Sequence, residues 1–166
     1  MRRQNIRRIV LALMSGIVWG CLCAQENTAL EYVWKASDES VKLCVYPKNV
    51  ELGQVLRGRR AIVADMGSEV FWKKVLRQIR NELFSAETIE AFNQKEIHVW
   101  VKLFVDNRGK VLYARMMIDK EVSALLTTEQ LADIYNYFAR LDIPLRYPFA
   151  PTEYCEISVD VLDRNL

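Results

Sequence analysis

The chain has little of what usually announces a chemistry. It holds one histidine, His98, together with six glycines, four prolines and four cysteines. One histidine and a few scattered cysteines do not make a zinc ligand set. No glycine-rich run is present to cradle a phosphate, and no Pro-rich spacer, internal repeat or low-complexity tract interrupts the sequence. An excess of one charge is missing too. Of 23 basic residues, Arg2, Arg3, Arg7 and Arg8 fall in the first 24 positions, which leaves 19 against 21 acidic residues in the remainder. A nucleic-acid binder usually carries a clear basic excess, so no nucleic-acid partner is expected. No cofactor, metal or catalytic set is expected either. The longest uncharged apolar run, Ile9 to Ala24, covers about 16 residues where a bilayer-spanning helix needs roughly 20.

What that run does provide is an export signal. A positive n-region, an apolar stretch broken by Gly16 and Gly20, and a close on Cys21-Leu22-Cys23-Ala24 before Gln25 have the layout of a secretory signal peptide. Cleavage after Ala24 is expected, with Leu22 an imperfect fit to the small-residue pattern. Cleavage before Cys21 with lipidation of its thiol is the alternative, and an uncleaved anchor is a third. The first reading gives a signal at 1–24 and a single domain at 25–166, periplasmic or otherwise exported, with no transmembrane segment in the mature chain. A domain of that length buries about 70% of its unfolded surface and needs no staples. Cys44 and Cys155 are the thiols that remain. In an oxidising compartment they could pair, or each could sit buried and free as a small hydrophobe.

Periodicity places the elements. Leu30 to Lys35 and Val41 to Tyr46 predict two short strands around a polar turn at Ser37–Ser40. Pro47 to Gly58 reads as loop with an edge strand around Val50 to Leu56. Ser68 predicts a helix N-cap, with Phe71, Val75 and Ile79 on one face down to Leu83. Ser85 caps a second, shorter helix through Phe92. Ile97, Val99, Val101, Leu103 and Val105 alternate with His98, Trp100, Lys102 and Phe104, the period-two signature of a strand. Asp106 to Gly109 is a turn, and Val111 to Ile118 returns as an antiparallel partner. Thr127 and Gln130 form a capping box ahead of Leu131, Ile134, Tyr135 and Phe138. Cys155, Ile157, Val159 and Val161 face one side of a closing strand and Tyr154, Glu156, Ser158 and Asp160 the other. The fold class expected is α+β, a two-layer sandwich of a small antiparallel sheet with helices packed on one face.

Candidate functional residues are few. His98 shares a strand face with Trp100, Lys102 and Phe104, and as a general base it would need a positioned partner. The acidic pairs Glu87/Glu90 and Glu153/Glu156 read as solvated surface rather than a glycosidase pair. Between positions 57 and 80 lie Arg57, Arg59, Arg60, Lys73, Lys74, Arg77 and Arg80 against Asp65 and Glu69, while the last 48 residues hold nine acids and four bases. The basic stretch is a possible surface for an anionic glycan or lipid, or a solvated helix face. Trp100 and Phe104 form a possible aromatic contact face, or are covered within the molecule.

The strand ending in Phe104-Val105-Asp106, the turn through Gly109-Lys110-Val111, the apolar helix after it, a Pro-containing loop and the closing strand of alternating Val together resemble the C-terminal domain of the energy transducer TonB and its periplasmic relatives, over about residues 67–162. The resemblance implies that fold and a place in a Gram-negative cell envelope. It carries no energy-coupling role, because the long Pro-rich spacer of a transducer is missing and Leu145-Arg146-Tyr147-Pro148-Phe149 replaces the usual aromatic-rich stretch. The function expected is that of an exported cell-envelope binding or structural module without catalysis. Its partner is expected to be an envelope protein taken up by edge-strand addition, or an anionic glycan or lipid surface. The alternatives are a small envelope hydrolase and an anchored transducer component.

Overall fold

A computed structural model describes residues 29–36, 41–94 and 97–162. The expected signal segment at 1–24 and the expected turn at Ser37–Ser40 lie outside the described residues. Six strands form one sheet: β1 (Leu30–Ala36), β2 (Val41–Pro47), β3 (Arg60–Ile62), β4 (Val99–Val105), β5 (Val111–Asp119) and β6 (Glu153–Asp160). Their spatial order is β1-β2-β5-β4-β6-β3, antiparallel throughout except for β3, which runs parallel to β6. The architecture is α+β, and the sheet is mixed rather than wholly antiparallel.

Alternation along β4 decides which face is buried. Val99, Val101, Leu103 and Val105 are fully enclosed and meet Ile118, Met116 and Ala114 of β5 and Val159 and Cys155 of β6 on the same side. Three longer helices cover that side: α2 (Glu69–Leu83), α3 (Ala86–Asn93) and α5 (Thr128–Ala139), beside the short α1 (Leu52–Val55) and α4 (Lys120–Ser123). Ser68 Oγ accepts the Phe71 N–H, Ser85 Oγ accepts the Thr88 N–H, and Thr127 and Gln130 complete a reciprocal capping box, so each longer helix starts where its cap residue sits. Val75, Leu76 and Ile79 of α2 and Leu131, Ile134, Tyr135 and Phe138 of α5 supply the helix side of the core. The Tyr135 hydroxyl, whose pKa burial pushes far up, stays a neutral donor to the Ala114 carbonyl at 3.1 Å. No described helix is long and apolar enough to cross a membrane.

The β4–β5 turn is fixed by Asp106. Its Oδ1 accepts the N–H groups of Arg108 and Lys110 at 2.8 and 3.0 Å. Gly109 sits at φ 81°, and a Cβ there would lie 2.1 Å from the Ile143 carbonyl oxygen. The turn and the loop that leaves α5 therefore close on each other where only glycine fits.

The segment after β2 departs from the expected edge strand. Within that segment Leu52–Val55 forms α1 instead, with Leu52, Val55 and the C-cap Leu56 at helical spacing. The strand at this end of the sheet is β3, which follows it. To reach the far edge the chain must pass the ends of β5, β4 and β6. There Phe104, Tyr113 and Tyr154 cluster on the face away from the long helices, with ring centroids 5.9 and 6.0 Å from Phe104. Phe104 and Tyr113 are buried yet stand apart from the main core, and α1 contacts β5. The crossover is thus a cover for half of the second sheet face.

Candidate functional site

The other half of that second face stays open. Register sets Cys44, Met117, Trp100 and Asp160 in one row across β2, β5, β4 and β6. Lys42, Asp119 and His98 form the adjacent row, where Asp119 accepts the His98 backbone N–H at 2.9 Å and pairs with Lys42 at 3.4 Å. His98 Nδ1 lies 2.6 Å from Asp160 Oδ2, and the imidazole stacks on Trp100 with centroids 5.7 Å apart. The other oxygen of Asp160 accepts the N–H groups of Val99 and Leu162. The carboxylate side chain is 10% exposed against 48% for the histidine, so a held carboxylate orients a reachable ring. An ionised carboxylate only accepts, which puts the Nδ1 proton between the pair and leaves Nε2 unprotonated in the neutral ring.

The positioned partner that a general base would need is therefore present, where the sequence read His98 as a half-exposed sheet histidine, and it was missed because Asp160 is 62 residues away. The thiol on the same face, Cys44, does not reach the pair: β2 is two strand spacings, about 10 Å, from β4, which His98 immediately precedes. No cluster of three or more His, Cys, Asp or Glu that could hold a metal ion occurs among the described residues.

Of the two arrangements left open for the cysteines, the structure has the unpaired one: both are free, Cys155 buried and Cys44 partly buried. Cys44 points to the open face between Leu43 and Val45, whose side chains go into the core, whereas Cys155 lies on the core side of β6. With β5 and β4 between them, three strand spacings of about 14 Å separate the two strands, and a disulfide spans Cα atoms less than about 7 Å apart.

The aromatic pair is divided. Trp100 remains half-exposed on the open face, while Phe104 is sealed under the crossover. The basic stretch is divided as well. Arg60 is ion-paired to Glu153, Lys73 to Glu69, Arg59 donates to the Pro151 carbonyl and Arg80 to the Val161 carbonyl. Lys74 and Arg77 are exposed on α2, and Arg57 lies apart from them on the crossover. The seven residues do not converge on one surface.

The strand at Leu30–Ala36 is legible from its residues, but its place in the sheet is not, and its place is what makes it a candidate site. β1 is an outer strand with a seven-residue ladder to β2 on one side only. The Lys48 N–H donates to the Ala29 carbonyl, which sets the alternation: residues 29, 31, 33 and 35 turn their backbone polar groups toward β2. Leu30, Tyr32, Trp34 and Ala36 turn theirs outward, where no described strand lies. Trp34 is 51% exposed beside them, and Val41 is exposed diagonally across the ladder.

No protein-family model matches the chain, and no curated protein is similar to it in sequence. Among solved structures it is similar to a DUF5043 family protein from Bacteroides uniformis, with a TM-score of 0.55 at 12% identity over 80% of this chain and 89% of that one. At that identity the likeness is one of fold.

Proposed function

We propose that the protein is an exported, non-catalytic binding module of the bacterial cell envelope that takes an extended segment of a partner along β1. The observation that carries the reading is the outer side of β1, unpaired among the described residues, with the polar backbone of four alternate residues turned outward next to an exposed tryptophan. Strand addition draws affinity from such main-chain groups and specificity from the alternate side chains. Two sequence features support the envelope setting: the Arg-rich, apolar N-terminal segment, and the resemblance to periplasmic TonB C-terminal domains. Cleavage after Ala24 gives a periplasmic or otherwise exported form, and lipidation at Cys21 gives an anchored one.

The test is retention of envelope components by the immobilised protein and by its Trp34→Pro variant. The Trp34 N–H points away from β2, so proline there removes a donor from the outer side without taking a bond from the ladder. Retention that disappears in the variant supports strand addition; retention that persists overturns it.

A second reading, a small envelope hydrolase, is favoured by one observation: the His98–Asp160 pair is the arrangement of an oriented general base. Hydrolysis by the purified protein that is lost in His98→Ala supports it, and activity that is absent or unchanged in the variant removes it.

A further inference from the structure

We infer that the strand docked along β1 is β1 of a second copy, paired antiparallel about a two-fold axis at Val33. This rests on the reading of β1 as an accepting edge and names its partner. Centred on Val33, the pairing sets Leu30 against Ala36, Tyr32 against Trp34, and Glu31 against Lys35 of the second copy, each contact occurring twice. The sequence of β1, Leu-Glu-Tyr-Val-Trp-Lys-Ala, is complementary to its own reverse.

Three observations converge on this register. The outward-turned residues are Leu30, Tyr32, Trp34 and Ala36, and the pairing matches them to one another, so every outward N–H and C=O meets a partner. The flanking charges then match. Glu31 makes no ion pair with the described residues of its own protomer. Lys35 stands directly across the ladder from Lys42, a like-charge pair; Lys42 is relieved by Asp119, whereas the Lys35 ammonium lies over the Tyr46 ring, at 5.9 Å. Among the described residues no carboxylate pairs with Lys35, and Glu31 of the second copy brings one. Slipping the pairing by two residues either way sets Lys35 or Glu31 opposite Val33 and loses both charge pairs. Finally, Trp34 receives a cross-strand aromatic neighbour, Tyr32 of the second copy, on the side of the sheet where it is exposed. An isologous contact of this kind closes on two copies and leaves no further β1 edge.

The experiment is sedimentation equilibrium on the purified protein and on Glu31→Lys and Lys35→Glu variants, each checked for an unchanged circular dichroism spectrum. The wild type is expected to show a concentration-dependent dimer. Each single variant sets two like-charge pairs face to face and should weaken the dimer about tenfold or more. An equimolar mixture of the two variants should recover dimer, because the paired lysines of one variant then meet the paired glutamates of the other. A wild type that stays monomeric throughout, or a dimer indifferent to both reversals, overturns self-pairing. A monomer whose envelope retention is lost in Trp34→Pro leaves strand addition standing with a different partner. A monomer whose retention survives that substitution overturns both.

Discussion

One outer strand of the sheet, β1, runs for seven residues and the other, β3, for three. β1 is tied to β2 along its whole length, and the Tyr32 hydroxyl reaches the Thr128 carbonyl at the start of α5. β3 is held by a short parallel ladder to β6, by the Arg60–Glu153 ion pair and by Arg59 on the Pro151 carbonyl. Sheets commonly protect their edges by shortening them and placing charge on them. β3 follows both devices. β1 keeps its full length, and its two charges are of opposite sign and symmetric about Val33. Charge in one place seals an edge, and in the other, on the pairing proposed above, it selects what the edge accepts.

Substitutions can pull the two edges apart. The largest effect is expected where the chain passes between them. Phe104→Ala opens a cavity under the crossover and should cost about 3–5 kcal/mol in urea denaturation. Amide exchange should quicken at Arg60 and Ile62, whose N–H groups face β6, while the β1 amides paired to β2 keep their protection; equal loss at both edges would contradict their independence. Trp34→Pro comes next in size. It should cost the protomer less than about 1 kcal/mol, since it takes no bond from the ladder, yet should abolish docking along β1. A thermal midpoint far below that of the wild type would show that the Trp34 N–H is used inside the fold.

Arg60→Ala should have the smallest effect, confined to β3. The Arg60 hydrogen bond, followed by the Ala150 N–H, holds the Glu153 carboxyl below the usual carboxylate range. A carboxyl lowered in the folded state stabilises above its unfolded pKa and loses that contribution as pH falls through the folded value. In the wild type, the protection of the Ile62 amide relative to its intrinsic exchange rate should therefore fall on acidification, with β1 unaffected. In Arg60→Ala the acid step should shrink, and a step of unchanged size would remove the ion pair as its cause.

What could be read from the sequence was what depends on near neighbours. Ser68, Ser85 and Thr127 cap helices through residues three positions on, and β4 shows its faces by alternation alone. What could not be read depends on distant partners. β3 has three residues and no period of its own, and its position is set by β6. α1 is a single turn whose apolar spacing passes equally for a strand. The His98–Asp160 contact requires the β4–β6 pairing. The mismatch of Cys44 and Cys155 was partly legible: Leu43 and Val45 in the core place Cys44 on the opposite face, whereas Cys155 shares its parity with Val159. The outward side of β1 was invisible, because strand order is a property of the whole sheet.

The parallel pairing of β3 with β6 also has a consequence in time. Arg60 is synthesised 93 residues before Glu153, so β3 waits for its template until β6 has been made. The same late arrival shields the second side of β4 and delivers Asp160 to His98. A growing polypeptide can form the β1–β2 and β4–β5 ribbons early, but it holds an unfinished sheet until β6 emerges. Truncation just short of Glu153 should therefore unlatch both β3 and the histidine, two places that share nothing else.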